Sequence, residues 1–496
     1  MWRKAKNFPA SRVRREAEQA LRLKHGGAYE KKQNLPVFAG FLPALTACGP
    51  AAQTEPEADP PPASAVEASA PEEIPAPEKP AEPELSQRDK DWIEDIEFLR
   101  EEYRTKHADP FYFCSEEEFD WKMDQLIAKV GELSGSDVFY ELAAIIAGMG
   151  DNHTTLWWDG YLPLCDRVFA VNLFTMNGRL YLWDYLEGYD QFAPYLLHEI
   201  VGVNGVDSMY LIRRAASLYE SDWLAGLNFP AYPTFFDWVG CDYIEGYTFQ
   251  ILGDNQEVES IEVPVITLDE VQSGTWVHPE DCLSLAYIKG GDQAVYYEGK
   301  DGGCIQWCMG ELWYPSITRR YLHDVSRLME EHPDCGKVVI DLRKCPGGSA
   351  ESLPFLEEIR KEAQLLEGKQ IYVLTRGSTA SAATRMISFF KDEFGAVTVG
   401  EPTGQFSSFF SRSEESDENP IFLPNSQIEV RVSDRWRDGP ELLEEMGVAS
   451  SFEEYYDEDG RLYPWETCIQ PDVYVHQDIE DLRQGKDSVL EWVLAQ

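Results

Sequence analysis

Two short apolar runs end abruptly in small residues whose types could perform acyl transfer. The run at residues 338–342 leads to Gly347 and Gly348, and the run at 371–375 leads to Ser381. Ser381 stands among alanines at the predicted start of a helix. A hydroxyl at a helix N-terminus, near unpaired backbone amides, suits attack on a carbonyl, because the amides and the helix dipole stabilise the oxyanion that forms. The pattern therefore indicates a serine nucleophile and an oxyanion hole.

The elements that must position these residues alternate between strand and helix. Across residues 283–480, short apolar runs typical of buried strands are separated by helical patterns, which predicts a parallel α/β layer. The predicted helices are 321–331, 353–366, 381–390 and 479–494, and the predicted strands are 338–342, 371–375, 396–399 and 471–475. Sites of such sheets lie beyond the carboxyl ends of the strands. Gly347, Gly348 and Ser381 are expected at that edge.

Residues 87–150 have the spacing of three amphipathic helices. Ser115 with Glu118 has the capping-box pattern for the second helix, and Ser136 is a candidate cap for the third. A polar turn that contains His153 follows the glycines that end this helix. A single histidine is more often structural than catalytic, but functional side chains concentrate in such turns. From the residues alone, both roles stay open for His153.

Residues 160–275 combine strand-like runs, aromatic residues and one predicted helix. Asn204-Gly205 follows an alternating run and indicates a hairpin. Asp207 is a candidate N-cap for a helix over residues 208–225. Further strands are predicted at 247–252 and 261–266. These features predict a compact β-rich module, and no catalytic cluster is evident within it.

The N-terminal region has the pattern of a lipoprotein signal. Lys31-Lys32 precedes a short apolar stretch, and Leu45-Thr-Ala-Cys48 matches the lipobox that precedes lipidation of its cysteine. Residues 49–85 hold ten prolines among Ala, Glu and Ser, a composition typical of extended, solvated chain. We expect a protein outside the cytoplasm, attached to the membrane by lipid at Cys48. The alternatives are an accidental apolar stretch and a generic linker.

Composition excludes several classes of function. The formal net charge of −45 argues against nucleic acid as a partner, because phosphate binding needs a basic surface. No apolar run reaches the length of a membrane-spanning helix. Ten cysteines are too few for a disulfide scaffold in 496 residues. Cys304 and Cys308 lie in a strand-like segment about 13 Å apart, so neither a disulfide between them nor a metal site is expected.

Five motifs occur in an order known from one peptidase family. They are Asp341-Leu-Arg-x-x-x-Gly-Gly348, Thr379-Ala-Ser-Ala-Ala383, Gly400-Glu-Pro-Thr-Gly404, Leu423-Pro-Asn-Ser426 and Pro471-Asp-Val473. With them, the chain resembles the tail-specific (C-terminal processing) serine peptidases and their tricorn-core relatives over roughly residues 90–490. Gly150-Asp-x-His-Thr154 and Val201-x-Val-Asn-Gly205 are similar to the helical domain and the PDZ-like module of that family.

The resemblance implies an α/β fold with a crotonase/ClpP-like core, an N-terminal helical bundle and a PDZ-like β-rich module. It implies proteolysis by a nucleophilic serine, which is Ser381 by position. The Ala382 N–H and the turn at Gly347 and Gly348 match the oxyanion hole. The expected partner is a protein or peptide substrate, and no cofactor or metal is implied. The oligomeric state is left open.

The group that activates Ser381 differs between branches of this family. In the tail-specific branch a lysine follows the Gly-Glu-Pro-Thr segment, and Phe406 occupies the equivalent spacing here. The Ser–Lys dyad is therefore expected to be absent, and resemblance to the tricorn-like branch implies His153 as the general base. That branch also uses an acid near the Pro-Asp-Val tail, for which Glu466 is the nearest candidate. The alternative for Glu466 is a solvated surface carboxylate.

Two further departures from the family leave a second function open. Cys345 stands where the family usually has Asn, and Thr384 where it often has Glu. Cys345 is interpreted as a packing substitution or an oxidisable thiol. With the missing lysine, these changes favour an alternative, an inactive peptide-binding lipoprotein on the same scaffold. Hydrolysis of small esters or amides would share the same chemistry. Asp341 and Arg343 are interpreted as structural.

The predicted organisation has five parts. They are a basic segment plus signal at 1–48, a Pro/Glu/Ala-rich disordered tether at 49–85, a helical domain at 86–156, a β-rich PDZ-like module at 157–280, and an α/β peptidase core at 281–496.

Overall fold

The computed structural model describes residues 85–157, 166–218, 229–241, 246–289, 293–299, 302–310, 312, 315–348, 352–449 and 468–496. The predicted lipidation site Cys48, the tether up to residue 84 and the candidate acid Glu466 lie outside the described residues. Within the described ranges, no helix is both long and apolar enough to cross a membrane.

Three helices open the described chain. They are α1 (Gln87–Lys106), α2 (Glu116–Lys129) and α3 (Gly135–Ala147). Serine caps start each of them, and the predicted cap Ser115 accepts the Glu118 N–H at 3.1 Å. The predicted cap Ser136 is wrong. Ser134 caps α3 in a capping box with Asp137, which offers a carboxylate three residues on, so the helix begins earlier.

The β-rich module is a sheet with the order β10-β4-β5-β7-β8, to which β3 and β6 add at β4 and β5. Its strands are β3 (Val171–Met176), β4 (Arg179–Leu186), β5 (Glu199–Val203), β6 (Val206–Asp207), β7 (Tyr247–Leu252), β8 (Val258–Val263) and β10 (Trp276–Val277). A separate pair consists of β2 (Arg167–Phe169) and β9 (Val265–Thr267). The hairpin at Asn204-Gly205 is confirmed, since Val203 pairs with Val206.

Short helices accompany this sheet. They are α4 (Ser208–Ala216), α5 (Pro233–Trp238), α6 (Leu268–Ser273) and α7 (Ala286–Lys289), with 3-10 turns at Asp190–Tyr195 and Asp281–Ser284. Asp207 caps α4 as predicted, its side chain accepting the Met209 N–H at 2.9 Å. The helix expected to reach residue 225 ends at Ala216, and residues 219–228 are outside the described part of the chain.

The α/β layer is a six-stranded sheet with the order β11-β12-β13-β14-β15-β20. Its strands are β11 (Gln293–Tyr297), β12 (Cys304–Cys308), β13 (Lys337–Asp341), β14 (Gln370–Thr375), β15 (Val397–Gly400) and β20 (Val473–Tyr474). From β12 to β20 every pairing is parallel. β12 and β13 are buried along their whole length, as expected for parallel strands covered on both faces.

Helices connect these strands. They are α8 (Pro315–Glu331), α9 (Ser352–Lys361), α10 (Ala382–Phe394), α11 (Glu414–Glu418), α12 (Gly439–Glu445), α13 (Ile479–Arg483) and α14 (Ser488–Ala495), with a 3-10 turn at Ala363–Leu365. The single closing helix predicted over 479–494 is wrong. Gly485 takes a left-handed φ of +65° that stops α13, and the Asp487 side chain then caps α14.

A third sheet joins the helical region to the C-terminal half of the chain. Its order is β1-β18-β17, from β1 (Thr155–Trp157), β17 (Ile421–Phe422) and β18 (Glu429–Arg431). The Asp95 carboxylate on α1 accepts the backbone N–H groups of Asn425 at 2.7 Å and Ser426 at 2.8 Å. These contacts join α1 to the turn between β17 and β18, and the pairing of β1 with β18 joins the turn that contains His153 to the same segment.

A two-stranded ribbon is formed by the segments that flank β17 and β18 in the sequence. It pairs β16 (Phe409–Ser411) with β19 (Arg435–Arg437) in antiparallel register. Phe410 and Trp436, opposite each other in the ribbon, contact Tyr112 of the helical region with ring centroids 5.5 and 5.0 Å away. The ribbon therefore forms a second contact between the helical region and the C-terminal half of the chain.

The predicted structural pair of Asp341 and Arg343 is confirmed. Arg343 donates to the Asp341 carboxylate at 2.6 and 3.0 Å and to the Asp487 carboxylate at 2.6 and 2.8 Å, with all three residues buried. The buried Arg343 guanidinium thus connects the turn after β13 to the start of α14. Separating the two would leave a buried charge without its partner, which is strongly destabilising.

Candidate active site

Ser381 stands at the N-terminus of α10 in a strained turn. Its backbone has φ +51° and ψ −127°, a conformation rare for residues with a side chain that costs on the order of 1–3 kcal/mol. Within the described chain, the Ser381 hydroxyl forms no hydrogen bond. A serine on a tight strand-to-helix turn, with a free hydroxyl, has the geometry of a nucleophile elbow. The position predicted for Ser381 at the helix start is confirmed.

The turn after β13 packs directly against Ser381. A Cβ built on Gly347 would lie 2.6 Å from Ser381 Cβ and 2.9 Å from the Ala382 backbone N. Gly347 also has a φ of +102°, which favours glycine. The two predicted halves of the site are therefore in contact, and only glycine allows the turn to approach this closely.

Hydrogen bonds fix the two turns to each other. Thr379 Oγ1 donates to the Leu342 carbonyl at 2.9 Å, and the Ala380 N–H donates to the Cys345 carbonyl at 3.3 Å. Arg376, which is buried, donates through Nε to the Arg343 carbonyl at 2.5 Å. These bonds explain why the ends of β13 and β14 meet in one rigid site.

Backbone donors are available beside the hydroxyl. The N–H groups of Gly347, Gly348 and Ala382 donate to no acceptor among the described residues. Ala382 begins a 13-residue helix, whose N-terminus favours negative charge. Ala382 directly follows Ser381 and Gly347 contacts it, whereas a Cβ built on Gly348 would meet atoms of Leu312. Free backbone amides beside a hydroxyl are the kind of donor that an oxyanion needs, and Gly347 and Ala382 have this position.

His153 lies in a turn that the carboxylate of Asp151 organises. One Asp151 oxygen accepts the His153 backbone N–H at 2.9 Å, and the other accepts the Thr154 N–H at 3.1 Å and contacts His107 Nε2 at 3.1 Å. The His153 ring stacks on Phe409 with centroids 5.2 Å apart. Its backbone carbonyl accepts a hydrogen bond from Arg412 Nη1. The ring is therefore held firmly in place.

The His153 ring makes no hydrogen bond with Ser381 in the described chain, and its Nδ1 is buried without a partner. No described carboxylate stands behind Nδ1, since Asp151 bonds the backbone of His153 instead. Burial lowers the pKa of His153 to about 4, against the opposing effect of Asp151. The imidazole is therefore neutral at pH 7, the state in which it can accept a proton.

Gln405 links the nucleophile to the turn of His153, and sequence reasoning missed it. Its side-chain oxygen accepts the Ser381 N–H at 2.6 Å, and its side-chain nitrogen donates to Asn152 Oδ1 at 3.1 Å. Gln405 is buried. The available signal was its place directly after the Gly400-Glu-Pro-Thr-Gly404 segment, one residue before Phe406, which stands at the spacing of the family's lysine.

The residues that depart from the family pattern have structural contacts. Phe406 is buried and packs edge-on against Phe113, with ring centroids 5.9 Å apart. Thr384 Oγ1 donates to the Ser381 carbonyl at 2.7 Å, inside the first turn of α10. Cys345 is fully buried in the hydrophobic core of the α/β layer, which favours the packing interpretation of this cysteine over the oxidisable thiol.

The described residues contain no group of three or more His, Cys, Asp or Glu side chains that could hold a metal ion. The side chains and backbone groups assembled around Ser381 and the turn of His153 are a hydroxyl, free backbone amides, a neutral imidazole and the amide of Gln405. Such a set can stabilise an oxyanion and transfer a proton, which are the requirements of acyl transfer at a carbonyl.

No protein-family model matches the sequence, and no curated protein matches it either. Among solved structures, the chain is similar to mature CPAF complexed with lactacystin, with a TM-score of 0.51, 13% identity, and coverage of 82% of this chain and 97% of that chain. A mutant of CPAF matches with a TM-score of 0.51, 10% identity, and coverage of 82% and 96%. The photosystem II D1 C-terminal processing protease matches with a TM-score of 0.35, 10% identity, and coverage of 82% and 99%. The chain therefore shares the fold of CPAF.

Proposed function

We propose that the protein is a serine-type peptidase in which Ser381 attacks the carbonyl of a peptide bond. The observation that carries the proposal is the contact between the strained Ser381 turn and Gly347, which leaves a free hydroxyl beside free amides. Strain at a single non-glycine residue persists only where surrounding structure imposes it, and such residues concentrate at functional sites.

The proposed reaction has two halves. Ser381 Oγ forms a bond to the carbonyl carbon while its proton passes to the neutral His153 ring, and the carbonyl oxygen becomes an oxyanion bound by the amides of Gly347, Gly348 and Ala382. The intermediate collapses, the C–N bond breaks, and the leaving amine takes the proton from His153. Water then attacks the acyl-enzyme by the same route, which releases the acid and restores the hydroxyl.

Gln405 acts as a positioning residue in this proposal. By accepting the Ser381 N–H it holds the backbone of the nucleophile, and by donating to Asn152 it holds the turn of the proposed base. His153 and Ser381 form no hydrogen bond here, but catalytic hydrogen bonds often tighten only when substrate is bound. Glu466 stays a candidate for the acid that orients His153.

The finer assignment of the fold also belongs to this proposal. We interpret the parallel layer as a crotonase/ClpP-like core and the β-rich sheet as a PDZ-like module that holds part of a protein or peptide substrate. The parallel pairing from β12 to β20 supports the first interpretation, and lactacystin, with which the similar CPAF structure is complexed, is a ligand to test.

Labelling by a fluorophosphonate at different pH values tests both the nucleophile and the base. We expect peptide mass spectrometry to find the label on Ser381. The labelling rate should be constant from about pH 7 to about pH 5 and fall as the pH drops through about 4, because protonation of His153, whose lowered pKa is about 4, removes the base.

The matched control for this experiment is His198→Ala, which removes a histidine whose partner is Asp254 in the β-rich module. This change should leave the pH profile of labelling intact, whereas His153→Ala should remove the inflection. A folded wild-type protein that takes up no label would contradict the peptidase proposal and favour the inactive peptide-binding alternative. An inflection near pH 6.5 would contradict the buried environment of the base.

We also propose that the protein is anchored outside the cytoplasm by lipid on Cys48. Lys31-Lys32, the apolar stretch and Leu45-Thr-Ala-Cys48 support this proposal. Cells given a fatty-acid analogue are expected to attach it to the wild-type protein and to Cys114→Ser, a change at a buried cysteine, but not to Cys48→Ser. Label that persists in Cys48→Ser would place the modification elsewhere and contradict the anchor.

A further inference from the structure

Three arginines near the candidate nucleophile have no carboxylate partner in the part of the chain that the structure describes. Arg385, Arg435 and Arg437, here called the arginine cluster, form no ion pair with any described residue. The chain holds 88 Asp and Glu against 43 Lys and Arg, so carboxylates are abundant, and the buried Arg343 binds two of them. Unpaired arginines in such an acidic protein require an explanation.

The arginine cluster lies close to both proposed catalytic side chains. Arg385 follows Ser381 by four residues, which is about one helical turn and about 6 Å along α10. The Arg385 guanidinium lies 5.6 Å from the centroid of the Phe409 ring, and the His153 ring stacks on the same phenylalanine at 5.2 Å. Phe409 is thus shared by a cluster arginine and the proposed base.

The ribbon brings the other two arginines to the same place. In its register Phe409 pairs with Arg437, and Ser411 pairs with Arg435. Alternate residues of a strand share a face, and paired residues lie on the same face. Arg435 and Arg437 therefore occupy the face of the ribbon that carries Phe409. Both arginines donate through Nε to Ser411 Oγ, at 3.1 and 3.2 Å, and Arg435 also donates to the Arg412 carbonyl at 2.9 Å.

Several donors of the cluster have no acceptor among the described residues. Arg385 Nε is buried, and no described residue accepts a hydrogen bond from it. Burial, followed by the charges of Arg437 and Arg435, lowers the pKa of Arg385 to about 10. Burial and Arg435 also lower the pKa of Arg437, and Glu445 opposes this shift without forming an ion pair. Like charges that are partly desolvated together are unfavourable unless an anion neutralises them.

We propose that the arginine cluster is a specificity subsite that binds an acidic side chain, Asp or Glu, of the peptide substrate near the bond that Ser381 attacks. The inference rests on the proposed function and identifies its substrate class. A separation of about 6 Å from Ser381 is within reach of the side chains that flank a scissile bond. Guanidinium groups bind carboxylates through paired, charge-assisted hydrogen bonds, which supplies the selectivity.

Peptide binding to the full-length Ser381→Ala protein tests this subsite without requiring turnover. The peptides carry one Glu or one Gln at successive positions and are blocked at both ends, so a terminal carboxylate cannot contribute. At one position or more, we expect the Glu peptide to bind about tenfold or more tightly than its Gln partner. Raising the salt concentration should reduce this ratio.

Further substitutions distinguish binding by the arginine cluster from a general effect of the charge of the protein. Arg437→Gln in the Ser381→Ala background should bring the Glu-to-Gln ratio of Kd values close to one, and Arg385→Gln should act in the same direction. Arg327→Gln is the matched control, because Arg327 is exposed on α8 and pairs with Glu331. This change should leave the ratio as it was.

The outcomes separate the two proposals. Equal binding of Glu and Gln peptides at every position, or a ratio that Arg437→Gln does not change, would overturn the subsite even if Ser381 reacts with a fluorophosphonate. A selective ratio with no labelling of Ser381 would support the subsite and reject the peptidase. Circular dichroism of each variant identifies loss of folding, and Arg435→Gln provides a further substitution if one of the other two unfolds.

Discussion

Replacing Ser381 with alanine is expected to lower kcat/KM for peptide hydrolysis by about 10⁴-fold or more. The rate enhancement that remains is the part supplied by substrate binding and the oxyanion hole. In the proposed reaction the Ser381 hydroxyl forms the acyl bond. It makes no hydrogen bond in the described chain, so its removal leaves no buried partner unsatisfied. Steady-state kinetics on a peptide cleaved by the wild type measure the loss.

Stability measurements show whether this loss is chemical. Alanine is as strained as serine at φ +51°, so Ser381→Ala should keep the Tm of the wild type. Ser273→Ala, at an exposed helix end, controls for the loss of a hydroxyl elsewhere and should retain full activity. Hydrolysis that persists in pure Ser381→Ala would show that another residue is the nucleophile.

Replacing Gly347 with alanine is expected to lower kcat/KM by about 10²- to 10³-fold, the effect of losing an oxyanion donor. The new Cβ would lie 2.6 Å from Ser381 Cβ and 2.8 Å from the Ala380 carbonyl oxygen. Because real Cβ atoms do not approach this closely, the turn must move away from Ser381, and its amides move with it. The loss should appear mainly in kcat, since the oxyanion exists only in the reaction.

Gly368→Ala is the matched control for this substitution. Gly368 also has a left-handed φ, +73°, but a Cβ there would meet nothing within 4 Å. The Gly368→Ala variant should therefore have the same backbone strain as Gly347→Ala, roughly 1 kcal/mol in the free energy of unfolding. Its activity should stay that of the wild type. If the two variants lost activity equally, the contact between Gly347 and Ser381 would have no part in catalysis.

Local pattern predicts one half of the site well. The apolar runs predict β13 and β14 to within one residue, because a buried parallel strand is a continuous hydrophobic segment. The glycines and Ser381 at their ends follow, since neighbouring parallel strands deliver their carboxyl ends to one edge.

The other half of the site depends on contacts that no local pattern contains. Gln405 bonds partners 24 and 253 residues away in sequence. The packing of His153 on Phe409 depends on how the ribbon meets the helical region, and the arginine cluster depends on the register of that ribbon. Such arrangements result from tertiary packing, which residue type and spacing do not specify.

The position of Gln405 has a consequence for the order of folding. Contacts between residues far apart in sequence cost more chain entropy to close than local ones. The bond from Gln405 to Asn152 spans 253 residues, so we expect it to form only when the helical region docks. Before that step, Gln405 would be held by Ser381 alone and would not be tied to the turn of His153. In the proposed peptidase, assembly of the site would therefore follow docking of the helical region.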